Sequence, residues 1–407
     1  MNFADYLIPA ACNAGKYGSF GDTVLKYQGE PEFDIPASTK IAVIGVPEDR
    51  FSDGAGEIKS PGVVRKQLYM LSSVSQGTVI DMGNLRTGKT LADTYFGLRD
   101  VIAELDQRNI AVLLVGGTMD VFYGNYLAME GQNINLTNVS PRLRLPVRST
   151  EKHPLNELVF EKPHPQPLSE GEEGRDAACH VFTAQGQPSF GGGRGEATLH
   201  ICNIGYQSYY VQQQDLDYFN DRHFEAYRLG EVREGNLRGC EPVIRDSDML
   251  AISMDAVKYS DAPAASNASP NGFTGEEMCQ LAFFAGLSYR CRSMGIFDMI
   301  PQNDVQDITA KLAAQMAWYF IEGVMKRNPD NPKDHIHNFK KYVIYFDQLH
   351  LNLCFLKNIQ TERWWMEVPS LSGENDSLMV SCTQEDYLKA AEQEIPDRWW
   401  KTYQRMN

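Results

Sequence analysis

Short apolar runs that alternate with amphipathic segments are the feature of this sequence that most restricts its fold. KIAVIGV (residues 40–46), IAVLLVGG (110–117), LAISM (250–254) and MGIF (294–297) are rich in aliphatic residues, as strands buried on both faces are. Apolar residues at helical spacing occur between such runs, most clearly at residues 94–109. Strands that alternate with helices predict an α/β fold, a three-layer α-β-α arrangement around a mainly parallel central sheet.

Two segments depart from this alternation. Residues 161–196 are rich in Pro, Gly and Glu, so we expect a surface insertion that buries little and is mobile or loosely wrapped. Residues 331–407, the C-terminal extension, predict a β-hairpin and a capped helix. Trp-Trp pairs at 364–365 and 399–400 indicate that the extension packs on the main α/β domain at 1–330, because such large side chains are costly to expose. A separate peptide-binding module is the alternative.

Composition excludes several classes of function. The 407-residue chain has a formal net charge of −15, which disfavours binding to nucleic acid or to an anionic membrane, since both require a basic face. We expect no membrane span, because the sequence contains no apolar run of about 18 residues, and no signal peptide, because the N-terminus lacks a basic region. Eight cysteines without a CxxC pair fit reduced thiols in a cytoplasmic protein.

The strand at residues 250–254 ends on Asp255, where α/β proteins place their functional groups. A metal site built from carboxylates is expected to have a second acid two residues later, but the chain has Val257 there. The sequence therefore poses the question of whether Asp255 belongs to an active site or to the remains of one.

Seven motifs occur in order over roughly residues 40–325: IAVIGVPED, SPGVVRKQL, VIDMGN, VLLVGGTMD, ISMDAV, NGFTGEE and GIFDMIP. Together they resemble the ureohydrolase family, which comprises arginase, agmatinase and formimidoylglutamase. YRLGEVR and the Trp-rich extension are similar to a divergent formimidoylglutamase-like branch found in Bacteroidetes. The resemblance implies an arginase-like fold, a homo-oligomer, and hydrolysis of guanidino or formimino C–N bonds by a hydroxide that bridges two Mn²⁺ ions.

The resemblance also shows which residues stand at the family's six metal-ligand positions, two His and four Asp. These positions are occupied by Met119, Ser140, Arg142, Arg144, Asp255 and Val257. Asp255 alone is retained, so five of six ligands are replaced. A thioether binds Mn²⁺ poorly and a guanidinium repels it, which predicts no metal at this vestigial ligand.

The candidate catalytic residues are therefore Asp255 and Asp298, since Asp298 stands where the family's Glu binds the cationic group of the substrate. The candidate pocket residues are Met119, Asp120, Arg142, Arg144, Asn271 and Glu277. Alternatively, Asp255 caps a loop or pairs with an arginine, Asp298 caps a strand end, and Glu277 closes a capping box with Thr274. Because a buried carboxylate without a metal needs a compensating cation, we expect Arg142 or Arg144 to pair with Asp120, Asp255 or Asp298.

Three functions stay open at this point. The first is a pseudoenzyme without a cofactor that binds an unknown small molecule or protein partner. The second is an active C–N hydrolase of the formimidoylglutamase or arginase type that uses an altered site, with Mn²⁺ as the alternative to the absence of a cofactor. The third is a structural scaffold whose insertion and extension form contact surfaces.

Deletion of residues 163–195 should leave the melting temperature nearly unchanged, because a segment of this composition buries little apolar surface. Thermal unfolding of the deletion variant beside the intact chain measures this. A large drop in melting temperature would show that the segment forms part of the folded core.

Overall fold

The structure is a computed structural model. It describes residues 1–11, 15–31, 33–52, 54–74, 78–144, 199–235, 237–346, 351–370 and 377–406. The predicted insertion at 161–196 lies outside the described residues, so the expectation made for it stays a prediction.

Fourteen strands and eleven helices are present in this part of the chain. The strands are β1 Leu7–Ile8, β2 Leu25–Lys26, β3 Thr39–Gly45, β4 Thr78–Leu85, β5 Ala111–Val115, β6 Ile134–Val139, β7 Leu199–Tyr206, β8 Glu225–Arg228, β9 Met249–Ser253, β10 Ser293–Phe297, β11 Phe339–Phe346, β12 Leu351–Asn358, β13 Trp364–Pro369 and β14 Ser377–Cys382. The helices are α1 Phe20–Thr23, α2 Ser60–Leu68, α3 Leu91–Gln107, α4 Phe122–Leu127, α5 Gln213–Asp221, α6 Leu229–Glu234, α7 Cys240–Arg245, α8 Gly275–Leu287, α9 Ile308–Met325, α10 Gln384–Ala391 and α11 Asp397–Met406. None of the helices in the described ranges is long and apolar enough to cross a bilayer.

The central sheet has ten strands in the order β1-β4-β3-β5-β10-β9-β6-β7-β8, with β2 also pairing with β4. In this spatial order, every strand from β4 at one side to β8 at the other is parallel to its neighbours, whereas β1 at the edge is antiparallel to β4. Alternate residues of one strand enter different core layers: Val43 packs with α2, α8 and α9, and Ile44 packs with α3 and α4. The predicted three-layer fold with a mainly parallel sheet is therefore confirmed.

Strand register brings four strand ends to one edge of the sheet. Val115 pairs with Ile296, Phe297 with Ser253, and Ile252 with Val139. The segments that leave β5, β6, β9 and β10 consequently begin side by side. These segments contain Met119, Ser140, Arg144, Asp255 and Asp298, five of the residues that the sequence analysis singled out.

Gly117 shapes the exit from β5. Its φ is 77°, in the left-handed region that favours glycine. A Cβ at this position would lie 2.8 Å from the carbonyl oxygen of Val46. The Gly-Gly pair of the VLLVGGTMD motif thus allows the chain to turn tightly against the end of β3.

Two other motifs join α2 to the sheet. Arg65 of SPGVVRKQL donates from Nε to Asp81 of VIDMGN at 2.6 Å, and the Tyr69 hydroxyl donates to the same carboxylate at 2.8 Å. Arg65 also donates from Nη2 to the Gly83 carbonyl at 3.0 Å. The ion pair is buried, and its several hydrogen bonds provide the compensation that a buried pair requires.

The extension contains more structure than the sequence predicts. β11 to β14 form a four-stranded antiparallel sheet, so the predicted hairpin is present as β11 and β12 with two further strands beside it. The helix predicted from Thr383 is α10, with Thr383 and Asp386 forming its capping box. A second helix, α11, follows.

One member of the Trp pairs, Trp365, is buried against the main domain. Trp364 and Trp399 pack in the extension's own core, and Trp400 is 46% exposed. Arginines also join the extension to the main domain. Arg245 donates to the Trp364 carbonyl at 2.9 Å and lies 4.2 Å from the centre of the Trp365 ring, and Arg398 pairs with main-domain carboxylates.

Candidate functional site

One carboxylate connects the four strand ends. Asp298 follows β10, is 6% exposed, and adopts a φ of 63°, which Asp tolerates better than most residues. Its Oδ1 accepts a hydrogen bond from the Met119 N–H at 2.9 Å, and its Oδ2 accepts one from the Ser253 hydroxyl at 2.5 Å. The Arg144 Nη2 lies 3.9 Å from the same Oδ2. Asp298 therefore joins groups that follow or end β5, β6 and β9.

Asp255 is buried beside this carboxylate and is held by one residue of the loop that follows it. Asn267 donates its backbone N–H to Oδ1 at 2.7 Å and its Nδ2 to Oδ2 at 3.0 Å. Burial raises the pKa of Asp255 to about 6, the negative charge of Asp298 adds to the rise, and the bonds from Asn267 and the charge of Arg144 oppose it. Asp255 thus caps the loop that runs from it to Asn267, which is one of the alternatives that the sequence indicated for this residue.

Asp120 is bound by hydroxyl groups. The Tyr95 hydroxyl of α3 and the Thr118 hydroxyl both donate to its carboxylate. Burial raises the pKa of Asp120 to about 7, against the effect of these two bonds, and the charge of Asp298 raises it further. A carboxyl group with this pKa changes its charge near neutral pH.

The two arginines at ligand positions differ in their contacts. Arg144 supplies the ion pair to Asp298, and its backbone carbonyl accepts a hydrogen bond from Asn138 Nδ2 at 2.9 Å. The Arg142 guanidinium instead lies 4.7 Å from the centre of the Tyr210 ring. The ion pair predicted for one of the two arginines is therefore formed by Arg144, at the long end of the salt-bridge range.

The described hydrogen bonds of Asn271 and Glu277 do not involve the carboxylates of the cleft. Asn271 is exposed, and its carbonyl accepts from Gln207 Nε2 at 3.3 Å. Glu277 accepts from the Thr274 N–H at 2.6 Å and donates its own N–H to the Thr274 hydroxyl at 3.2 Å. This capping box at the start of α8 is the alternative that the sequence indicated for Glu277.

Sequence reasoning missed Asn267 and Tyr95. Each binds a candidate carboxylate from a position that no motif marks: Asn267 lies in a loop, and Tyr95 lies in the second turn of the amphipathic helix α3. The only signal in the sequence was the general need of a buried carboxylate for hydrogen-bond donors, which does not say where the donors are.

The residues at the six ligand positions do not fit a pair of manganese ions. Mn²⁺ prefers carboxylate, water and imidazole ligands, and here one carboxylate stands with a hydroxyl, a thioether, two guanidinium groups and the fully buried side chain of Val257. Among the residues that the structure describes, no three His, Cys, Asp or Glu side chains are grouped as a metal site would require.

The order of the strands and the site at their carboxyl edge define an α/β protein of the arginase type. Residues 194–322 match the family model for the Arginase family. The chain is 24% identical to the formimidoylglutamase of Staphylococcus carnosus (strain TM300) over 335 residues, 77% of this chain and 96% of that protein. It is 21% identical to that of Macrococcus caseolyticus (strain JCSC5402), over 77% of this chain and 93% of the relative.

Solved structures show the same fold. Trypanosoma cruzi formiminoglutamase with Mn²⁺ aligns with a TM-score of 0.56 and 21% identity, over 71% of this chain and 95% of that one. Formimidoylglutamase from Bacillus subtilis aligns with a TM-score of 0.55 and 16% identity, over 80% and 92%. The chain therefore has an arginase-like fold, and it is similar in sequence to formimidoylglutamases over about three quarters of its length.

Arg144 and Asp298 should show energetic coupling. We expect Arg144→Met and Asp298→Asn to be non-additive by about 1 kcal/mol, since the Arg144 side chain is 33% exposed and partly exposed pairs contribute little more than that. Urea unfolding of both single variants and the double variant measures the coupling. The matched control, Arg142→Met combined with Asp298→Asn, should be additive. Additive losses in the Arg144 cycle would show that Asp298 is compensated by its other donors alone.

Asp255 and Asp120 should each contribute a fall in stability as the pH rises from roughly 4.5 to 7.5. Their pKa values are raised to about 6 and 7, so each group binds more protons in the native state than in the unfolded state in this range. His200, whose pKa burial lowers to about 3, contributes in the opposite direction. Asp120→Asn, which copies the protonated form, should reduce the fall by on the order of 2 kcal/mol. Chemical unfolding at several pH values tests this, and a variant profile parallel to that of the wild type would contradict it.

Proposed function

We propose that this chain is an arginase-family protein whose metal cleft has lost its manganese site, and that the cleft now binds a small molecule or a protein partner. The observation that carries the proposal is the contact between Arg144 and Asp298. Arg144 stands at a position where the family has a carboxylate ligand, and its guanidinium lies against the carboxylate of Asp298. A fixed positive charge therefore stands in the region where the family binds its metal cations.

The charges of the cleft favour a ligand with a cationic group. Asp120, Asp255 and Asp298 lie close enough for Asp298 to raise the pKa of the other two, and Arg144 is the cation that the structure places against them. An amidinium or ammonium group would relieve the repulsion among these carboxylates. A small molecule that carries such a group is therefore the ligand class that we propose first, with a basic segment of a partner protein as the alternative.

Hydrolysis of formimino or guanidino substrates is the second candidate. Its support is the similarity to formimidoylglutamases and the position of Asp255, whose pKa of about 6 suits a general base. In this case Asp255 would accept a proton from the attacking water, and Asp298 would hold the cationic end of the substrate.

Calorimetric titration with Mn²⁺ separates these proposals. We expect no stoichiometric binding to the wild-type protein, because five of six ligands are missing. A variant that restores the family's ligands should bind two Mn²⁺ ions per chain. It carries Met119→His, Ser140→Asp, Arg142→His, Arg144→Asp and Val257→Asp.

The matched control adds Asp255→Ala to this variant and should lose the restored binding. Tight binding of Mn²⁺ to the wild type that Asp255→Ala abolishes would overturn the proposal of a metal-free cleft. Release of formamide from a formimino substrate, or of urea from a guanidino substrate, by the wild type, lost in Asp255→Ala, would establish the hydrolase instead.

A further inference from the structure

A second cavity lies far from the cleft. It has a volume of about 460 Å³, within the range of small-molecule sites. Its walls come from the amino ends of β5 and β10, represented by Ala111 and Arg292, and from Trp365 and Met379 of the extension. β5 has five residues, and at about 3.3 Å per residue the cavity and the cleft are separated by roughly 17 Å along the sheet.

Four arginines line this cavity, and two of them are paired with its acids. Arg290 donates from Nε and Nη2 to the two oxygens of Asp248, each at 3.0 Å. Arg292 donates from Nη1 to Asp106 at 3.1 Å. These pairs satisfy two guanidinium groups and two carboxylates of the wall.

The other two arginines, Arg327 and Arg245, have no described hydrogen bond to an acid of the wall, and both donate to backbone carbonyls. Arg327 donates to the backbone carbonyls of Gly286 at 2.8 Å and Cys291 at 2.6 Å, and no carboxylate of the described residues lies within 4.0 Å of it. Burial lowers the pKa of Arg327, although a guanidinium stays charged in proteins. A desolvated positive charge held only by carbonyl groups favours an anion beside it.

Arg245 is the more deeply buried of the two, with 5% of the residue exposed. Within the described part of the chain, its Nε and Nη1 have no hydrogen-bond acceptor. Its carboxylate neighbour, Glu241 at 3.6 Å, is shared with Arg363 at 3.4 Å. Burial lowers the pKa of Arg245 as well.

The remaining acids of the wall have arginine partners of their own, although the charge of Asp246 also stabilises the protonated form of Arg245. Asp246 is bound by Arg398 at 3.0 Å, and Asp330 by Arg363 at 2.9 Å. Both partners come from the extension. The wall thus carries four arginines and four aspartates, and Arg327 is the arginine of the wall that has no described carboxylate within 4.0 Å.

We infer that this cavity binds a compact organic oxyanion, a carboxylate or a phosphate, with Arg327 as its main contact and Arg245 as the buried charge behind it. Guanidinium groups bind both kinds of anion through paired hydrogen bonds. Because the walls come from the main domain and from the extension, a bound anion stabilises the contact between them. Binding to the native state alone raises the melting temperature.

Thermal unfolding and calorimetry with inorganic phosphate and with succinate test this site, with sodium chloride at matched ionic strength as the reference. We expect a saturable rise in melting temperature and one binding site per chain for at least one of the two probes. Comparison of the two probes shows whether the site prefers phosphate or carboxylate.

Two variants of the cavity should weaken this binding at least about tenfold. Arg327→Gln removes the charge. Asn109→Asp adds a negative charge to the wall. Asn109 has a φ of 55°, which Asp tolerates as well as Asn does, so this variant should fold and tests the site even if Arg327→Gln fails to fold.

The control is Arg99→Gln, which removes an exposed arginine paired with Asp100 on α3 and should bind as the wild type does. The inference is overturned if the wild type shows no saturable response to either probe, or if Asn109→Asp binds with unchanged affinity.

Discussion

The hydrogen bonds and the ion pair to the Asp298 carboxylate are the contacts on which the cleft depends. Through them Met119, Ser253 and Arg144 are held at one point, although they come from three segments that are distant in the sequence. The cost of burying a carboxylate is offset here by two donors and a nearby cation. Asp255 and Asp120 meet the same requirement with Asn267 and with two hydroxyl groups. Each acid of the cleft therefore has its own local compensation, independent of a metal ion.

The features that maintain the fold are separate from those that would bind a metal. Gly117 permits the turn after β5, the buried pair of Arg65 and Asp81 joins α2 to β4, and the capping box of Thr274 and Glu277 begins α8. None of these residues stands at a position that the resemblance assigns to a metal ligand. Their retention explains how the arginase fold persists in a chain whose ligand positions hold Met119 and Val257, and it explains why similarity of fold alone does not establish the chemistry.

The sequence predicted the fold well because apolar runs, capping residues and the order of motifs are local signals. Met119, Asp120, Asp255 and Asp298 follow neighbouring strand ends as the motif order indicated, whereas Asn271 and Glu277 do not. The sequence also anticipated the pair that Arg144 forms with Asp298. It did not predict Asn267 or Tyr95, since partners of this kind depend on how a loop and a helix are positioned by tertiary packing. The size of the Trp side chains predicted burial, but it did not distinguish Trp365, which lies against Arg245 of the main domain, from Trp364 and Trp399, which pack within the extension.

Crystals grown with MnCl₂, with anomalous diffraction recorded at the manganese absorption edge, test the central claim most directly. A metal-free cleft predicts no anomalous peak between Asp255 and Asp298, with the Arg144 guanidinium beside Asp298 as it is here. An anomalous peak coordinated by Asp255, with Arg144 displaced from Asp298, would contradict the account and show that the chain binds manganese through ligands outside the family's set.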